Sequence, residues 1–156
     1  MGALLVPVVA LVVLPPATLG TYSAGKRSSF AGIGIATTVD ASGAITFVDV
    51  GTAQTTPEGG RALAARAGDP VELVGFVTRY ADTPADEIFV TRYIVTCCVA
   101  DATVAQVRVV NVPPGKFADD AWVEVRGPVF PLGREVIVMA DSIVSVQRPS
   151  RPYLTP

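Results

Sequence analysis

The feature that most constrains the fold is a series of short segments after residue 70 in which valine and isoleucine alternate with polar residues. A period of two is typical of β-strands that bury one face. Turn signals rich in Pro, Gly and Asp separate these segments. The predicted strands are residues 71–80, 87–97, 103–112, 121–129 and 135–146.

Five short strands at this spacing favour a small closed barrel over an open sheet. The positions of two glycines also favour a closed barrel. Gly75 interrupts the first strand and Gly127 ends the fourth, as expected where strands bend sharply around a barrel. The sequence therefore predicts a mainly β fold, with an OB-like five-stranded barrel over residues 69–148. The helix that usually separates the third and fourth strands has little room, since residues 112–120 form only a loop.

Residues 1–20 contain no charged side chain, unlike the rest of the chain. A transmembrane helix needs about 20 apolar residues, so this stretch is nearly long enough. Pro7 and the pair Pro15-Pro16 interrupt or end such a helix. Three interpretations stay open: a transmembrane anchor helix, which we prefer, a cleaved secretory signal, and a hydrophobic strand or helix of the fold. A secretory signal would begin with a basic stretch, which is absent here.

Residues 21–68 are predicted to be a linker with two short helices, and its first part is rich in Gly, Ser, Ala and Thr. One helix is predicted from Ile45 onward, although its β-branched residues leave a short strand as the alternative. The other begins at Thr56-Pro57, an N-cap followed by proline, and ends at Gly68. Residues 149–156 are predicted to form an extended C-terminal tail.

Charge and the absence of histidine limit the function. The chain has 12 basic and 14 acidic residues and no histidine. Binding to a polyphosphate backbone depends on Lys and Arg releasing counterions, so nucleic acid is not expected as a partner. Histidine is the commonest general base at neutral pH, and no P-loop, dinucleotide fingerprint or nucleophile elbow occurs. We therefore expect a binding or coupling domain and not an enzyme.

The most unusual segment is RYIVTCCVADA at residues 92–102, which contains adjacent cysteines. Strand alternation would place Cys97 in the core and Cys98 toward the rim, with Asp101 just beyond. Arg92 would lie on the same face as Cys98, as a further candidate binding residue. Three interpretations stay open: small core residues, a thiolate site for a soft metal or metalloid ion, and redox chemistry of the two thiols.

A metal site of this kind would be incomplete by itself. Cys97, Cys98 and Asp101 cannot supply the four ligands of structural zinc. The site would therefore need a partner chain, a second copy or a transient ligand.

Five stretches of the chain match motifs of one known family. They are PVELVGFV (70–77), RYIVTCCVADA (92–102), WVEVRG (122–127), VMADSI (138–143) and RPYLTP (151–156). On these motifs the chain resembles the YcgQ-like family of bacterial membrane proteins, over residues 2–156. The most specific elements are the CCVADA run and the Pro-Tyr-Leu-x-Pro ending.

Members of that family are described as subunits of a two-component permease, with transmembrane helices, a linker and a β-rich C-terminal domain. The resemblance implies a cell-membrane protein whose barrel is extracytoplasmic and whose partner is a multi-helix permease. Carried over by position, Cys97, Cys98 and Asp101 fall in the cysteine motif and Tyr153 in the terminal motif. This sequence begins at what resembles the family's last transmembrane helix, so the family's upstream helices are missing from it. Two interpretations stay open: a start codon assigned too far downstream, and a truncated form.

Overall fold

The computed structural model describes residues 20–26, 39 and 42–156. Within these residues the helices are α1 (Thr21–Lys26), α2 (Phe47–Thr55) and α3 (Pro57–Ala64). The strands are β1 (Pro70–Thr78), β2 (Ile88–Ile94), β3 (Thr103–Val110), β4 (Trp122–Leu132), β5 (Glu135–Met139), β6 (Ser142–Ser145) and β7 (Tyr153–Leu154).

The first five strands close into a barrel. Their order around it is β1, β2, β3, β5, β4 and back to β1. The β3–β5 pair is parallel and the other neighbours are antiparallel. This is the Greek-key order of an OB-like barrel, so the predicted fold class of the barrel is confirmed. The predicted last strand is divided into β5 and β6, and β6 extends the sheet beside β4.

Valine fills the interior of the barrel. Alternate residues of each strand point inward, and β-branched side chains suit a pleated surface. Burying one such side chain stabilises the fold by about 1.5–3 kcal/mol. The completely buried valines of the five barrel strands are Val77, Val90, Val107, Val109, Val123, Val125, Val129 and Val138.

Both glycines of the predicted bends lie where another strand's backbone comes very close. A Cβ atom at Gly75 would lie 2.6 Å from the carbonyl oxygen of Thr91. At Gly127, where φ is +158°, a Cβ atom would overlap the carbonyl oxygen of Met139. Only glycine allows these approaches, which is the physical reason for both positions.

The segment after Ile45 is helical and not a strand, because it begins with a capping box. The Thr46 hydroxyl accepts the N–H groups of Val48 (3.2 Å) and Asp49 (3.4 Å). In return the Asp49 carboxylate accepts the N–H of Thr46 at 2.8 Å. These bonds satisfy backbone donors that a helix start leaves unpaired.

Residues 42–68 are an integral part of the core, which differs from the loose linker that composition suggests. The barrel core includes five apolar residues of this segment: Ile45, Phe47, Val50, Ala53 and Leu63. Helix α2 also fills the gap where β3 has no β5 beside it. There the Gln54 amide donates to the Gln106 carbonyl (2.7 Å) and accepts the Gln106 N–H (3.2 Å).

The predicted membrane anchor, residues 1–20, lies outside the described residues apart from Gly20. Among the helices that the structure describes, none has the length and apolar character needed to cross a membrane. The predicted C-terminal tail ends in β7, which pairs in parallel with β2.

Candidate functional site

Where β2 ends, the chain makes a tight turn around one carboxylate. The Asp101 side chain accepts the N–H groups of Thr96 (3.1 Å), Cys97 (2.7 Å) and Cys98 (3.2 Å). Asp101 also ends a short 3-10 turn, and its own N–H donates to the Cys98 carbonyl at 3.0 Å. Aspartate commonly binds nearby backbone N–H groups in this way, so Asp101 fixes the shape of this turn.

The same hydrogen bonds set the charge state of the carboxylate. Desolvation in the turn tends to raise the pKa of Asp101, but the N–H groups of Cys98, Cys97 and Thr96 together outweigh it. The net effect lowers the pKa below its usual value, because hydrogen bonds to an ionised carboxylate favour that form. Asp101 is therefore negatively charged at neutral pH.

Cys97 and Cys98 are free and exposed at the surface. The prediction that Cys97 belongs to the core is wrong, because β2 ends at Ile94 and strand alternation does not continue into the turn. The two thiol sulfurs and an Asp101 carboxylate oxygen all lie within 4.8 Å of one another. The structure thus brings three of the predicted site residues together on the surface.

The fourth predicted site residue, Arg92, has a different role. Its guanidinium is buried and donates to the carbonyl oxygens of Pro152 (3.0 Å) and Arg151 (2.9 Å). It also donates to the Val74 carbonyl (2.7 Å) and lies over the Trp122 ring, 4.9 Å from the ring centroid. Desolvation by burial lowers the pKa of Arg92. Arg92 therefore ties the C-terminal tail to the barrel, and its three hydrogen bonds to carbonyl groups leave it committed to the fold.

An aromatic cluster lies on the outer face of the barrel beside this turn. Phe76 stacks on Tyr93 with ring centroids 5.7 Å apart and contacts Trp122 at 5.9 Å. Tyr153 of β7 meets Tyr93 edge-on at 6.3 Å. These rings line a pocket of about 350 Å³, which we call the aromatic pocket. Its other lining residues are Gly20, Asp120, Arg148 and Pro152.

Sequence reasoning missed the aromatic pocket, although β1 carries a signal for it. Val77 points into the barrel, while Phe76 shares the outer face with its cross-strand partner Trp122. A strand that is apolar on both faces has to be covered on both faces. The covering side chain of Tyr153 could not be foreseen, because a strand of two residues has no periodicity.

Residues 20–26, which we call the N-terminal arm, close one side of the aromatic pocket. The Tyr93 hydroxyl donates to the Gly20 carbonyl at 3.0 Å. The N–H and hydroxyl of Thr21 both donate to the Asp120 carboxylate, at 2.7 and 2.8 Å. Ala24 is completely buried in the aromatic cluster. The arm is therefore held on the barrel at both its first residues and its helix.

A different surface of the barrel is exposed and apolar. On the β4–β5 hairpin, Phe130, Leu132 and Met139 are 37%, 63% and 43% exposed. The pairing of Phe130 with Ile137 places these side chains on one outer face. We call Phe130, Leu132, Ile137 and Met139 the hairpin patch. Exposed apolar groups of this kind commonly mark interaction surfaces.

Fold and surface together define the class of protein. It is a small OB-like β-barrel domain whose surface carries an aromatic pocket, a vicinal-cysteine turn and an apolar hairpin. The family model described as the DUF1980 C-terminal domain matches residues 61–156. Because this match covers more than half of the chain, the chain belongs to the DUF1980 C-terminal domain family.

No protein of curated function matches the chain. Among solved structures, an OBody bound to hen egg-white lysozyme is similar at 18% identity and a TM-score of 0.36, covering 55% of this chain and 86% of that one. The S. pombe Stn1-ten1 complex is similar at 13% identity and a TM-score of 0.40, covering 73% of this chain and 87% of that one. The strand order of the barrel itself defines the fold as OB-like.

Proposed function

We propose that the chain is a membrane-anchored accessory subunit of a permease, with a non-catalytic, extracytoplasmic barrel that binds a partner. This is the role that the resemblance to the YcgQ-like family implies. Membership of the DUF1980 C-terminal domain family is compatible with it. The absence of histidine from the sequence favours binding over acid–base catalysis.

The observation that carries the proposal is the way the N-terminal arm docks on the barrel. Residues 1–20 would form the anchor, and Gly20 and Thr21 are already bonded to Tyr93 and Asp120. With so few residues between anchor and barrel, the barrel would be held directly against the lipid surface. A barrel in that position can contact a membrane-embedded partner without a long flexible connection.

The hairpin patch supports the same proposal, because it is a surface that a partner would cover. Leu132 is 63% exposed, although leucine is a side chain that folding normally buries. Burial of this apolar surface would favour association, by about 25 cal/mol of transfer free energy per Å². The patch is therefore the proposed contact with the multi-helix permease.

The test is fractionation and co-purification of the tagged full chain from intact bacteria. The chain is expected in the membrane fraction, resistant to alkaline extraction, and to bring a multi-helix membrane protein with it after mild solubilisation. A chain that fractionates as a soluble monomer without a partner would contradict the proposal.

A pair of matched aspartate variants tests the role of the arm. Asp120→Ala removes the acceptor of Thr21 and should leave the chain in the membrane while reducing co-purification of the partner. Asp82→Ala is the control, since its exposed side chain has no partner among the described residues. Equal co-purification of both variants would show that the docked arm does not position the barrel.

A second candidate function is binding of a soft metal or metalloid ion. The favouring observation is that the Cys97 and Cys98 sulfurs and an Asp101 oxygen lie within 4.8 Å of one another on the surface. Thiolates select soft ions such as cuprous copper. Because Asp101 already accepts three N–H groups, the two thiols would be the main donors.

Titration of the reduced full chain with cuprous, zinc and arsenite ions tests this candidate. Cys98→Ser should weaken binding strongly. The control variant Ser150→Ala should have no effect. Unchanged affinity in Cys98→Ser would remove the site.

A further inference from the structure

A groove with an aromatic floor and a charged rim runs across the outer face of β2 and β3. It lies between the β1–β2 loop, residues 79–87, and the β4–β5 turn at Gly133 and Arg134. Two adjoining hollows of about 410 and 310 Å³ share Tyr80, Phe89 and Arg108. Each is within the range of about 300–1,000 Å³ that is usual for small-ligand sites.

We call this surface the β2–β3 groove and define it by Tyr80, Phe89, Gln106, Arg108, Arg134 and Glu135. It is separate from the aromatic pocket and from the cysteine turn. In OB-like barrels, the face of the second and third strands with these two loops binds oligonucleotides or oligosaccharides. The fold alone does not choose between those ligands, so the side chains have to decide.

The aromatic floor is held rigidly. The rings of Tyr80 and Phe89 meet edge-to-face with centroids 5.1 Å apart. The Gln106 amide donates to the Tyr80 hydroxyl (2.8 Å) and to the Thr91 hydroxyl (2.9 Å). The Gln106 backbone is in turn held by Gln54 of α2. A platform that is already ordered loses little conformational entropy when a ligand binds.

The rim of the groove carries charged groups of both signs. The Arg108 guanidinium bonds to the carboxylates of Glu87 and Glu135 and is therefore already neutralised. Asp82 and Arg134 reach the rim without a hydrogen-bond or ion-pair partner among the residues that the structure describes. The rim thus offers fixed acceptors and one uncommitted donor group.

These charges argue against a polyanion as the ligand of the groove. Three carboxylates stand against two guanidinium groups, and one of the two is paired with two of those carboxylates. A phosphate backbone would need several uncommitted cations. A neutral ring that carries several hydroxyl groups does not need uncommitted cations. Its C–H face can lie on an aromatic ring, and its hydroxyl groups can bond to carboxylates and to a guanidinium.

We propose that the β2–β3 groove binds a neutral saccharide, with Phe89 and Tyr80 as the stacking platform and Arg134 and Glu135 as hydrogen-bonding residues. This inference does not depend on the permease partnership, because the side chains that define the groove are not those of the hairpin patch. The two surfaces adjoin at β5, where Glu135 of the groove pairs with Leu132 of the patch.

The test uses the full chain in a zwitterionic detergent, since many detergents carry sugar headgroups. Binding of cellotetraose, maltotetraose and tetra-N-acetylchitotetraose is measured by calorimetry. At least one is expected to bind. Phe89→Ala and Arg134→Ala should each weaken that binding, the former by about tenfold or more. Arg61→Ala, at an exposed arginine of helix α3 outside the groove, is the control for Arg134→Ala and should bind like the unchanged chain.

Arg134 is exposed, so Arg134→Ala keeps the proposal testable if Phe89→Ala folds poorly. The proposal is overturned if none of the three oligosaccharides binds at millimolar concentration, or if Arg134→Ala binds unchanged. It is also overturned if an oligothymidylate binds in this groove with strong salt dependence and the oligosaccharides do not.

Discussion

At the scale of single residues, two charged side chains hold backbone in place where the sequence suggests ligand binding. Asp101 collects three N–H groups of the cysteine turn. Arg92 collects three carbonyl groups, two of them in the C-terminal tail. Each compensates its charge with backbone dipoles, as a partly buried charge must. Of the predicted site residues, only the two cysteines are therefore uncommitted.

The lowered pKa of Asp101 predicts a pH dependence of stability. A carboxyl group whose pKa is lower in the folded than in the unfolded chain contributes stability above its unfolded value, about pH 4, and loses it as the pH falls through the folded value. We therefore expect the difference in unfolding free energy between the unchanged chain and Asp101→Asn to be constant from neutral pH to about pH 5. Below about pH 4 it should shrink.

Urea unfolding followed by Trp122 fluorescence, at a series of pH values, measures this difference. The Asn variant keeps the size of the side chain and cannot titrate. The contributions of the acidic groups that both chains share therefore cancel in the difference between the two unfolding free energies. A difference that stays constant to about pH 2 would show that the backbone hydrogen bonds do not favour ionised Asp101.

At the scale of elements, the barrel depends on helix α2 as much as on its strands. Strand β5 pairs with β3 only from Arg108 onward. In the part of β3 that precedes Arg108, the Gln54 side chain takes the place of a strand and bonds to both backbone groups of Gln106. A helix that precedes the barrel in sequence thus completes a gap between its third and fifth strands.

The expected consequence is that Gln54→Ala destabilises the fold by about 2–4 kcal/mol, because it leaves the N–H and carbonyl of Gln106 unpaired in a partly buried place. The exposed Gln147→Ala is the control and should change stability by less than about 0.5 kcal/mol. Urea denaturation gives both values, and hydrogen exchange at the Gln106 amide gives the local effect. Equal midpoints for the two variants would refute the role of Gln54.

Elements with local signals were predictable from the sequence, and long-range contacts were not. The barrel strands follow from alternation, and the two bend glycines follow from their positions within strands. The turn after Ile94 was missed because Val95 and Thr96 favour strands as strongly as the residues before them. The bond between Thr21 and Asp120 joins positions 99 residues apart, so no local pattern indicates it.

At the scale of the whole molecule, our proposals give three surfaces different roles. The arm and the aromatic pocket lie together on one side, where the predicted anchor would leave the barrel. The hairpin patch would offer apolar surface to a partner, and the β2–β3 groove would offer an aromatic floor and a charged rim to a small ligand. Such an arrangement would suit the proposed module, which is held at a membrane and couples a ligand to a larger protein.

Site-specific photo-crosslinking in intact bacteria tests the central claim most directly. A photoreactive residue at Leu132 in the hairpin patch should form adducts with a multi-helix membrane protein, recovered from the membrane fraction and identified by mass spectrometry. The same residue at Ala62, exposed on helix α3, should form none. The account is contradicted if Leu132 yields no adduct, or yields adducts with soluble proteins alone.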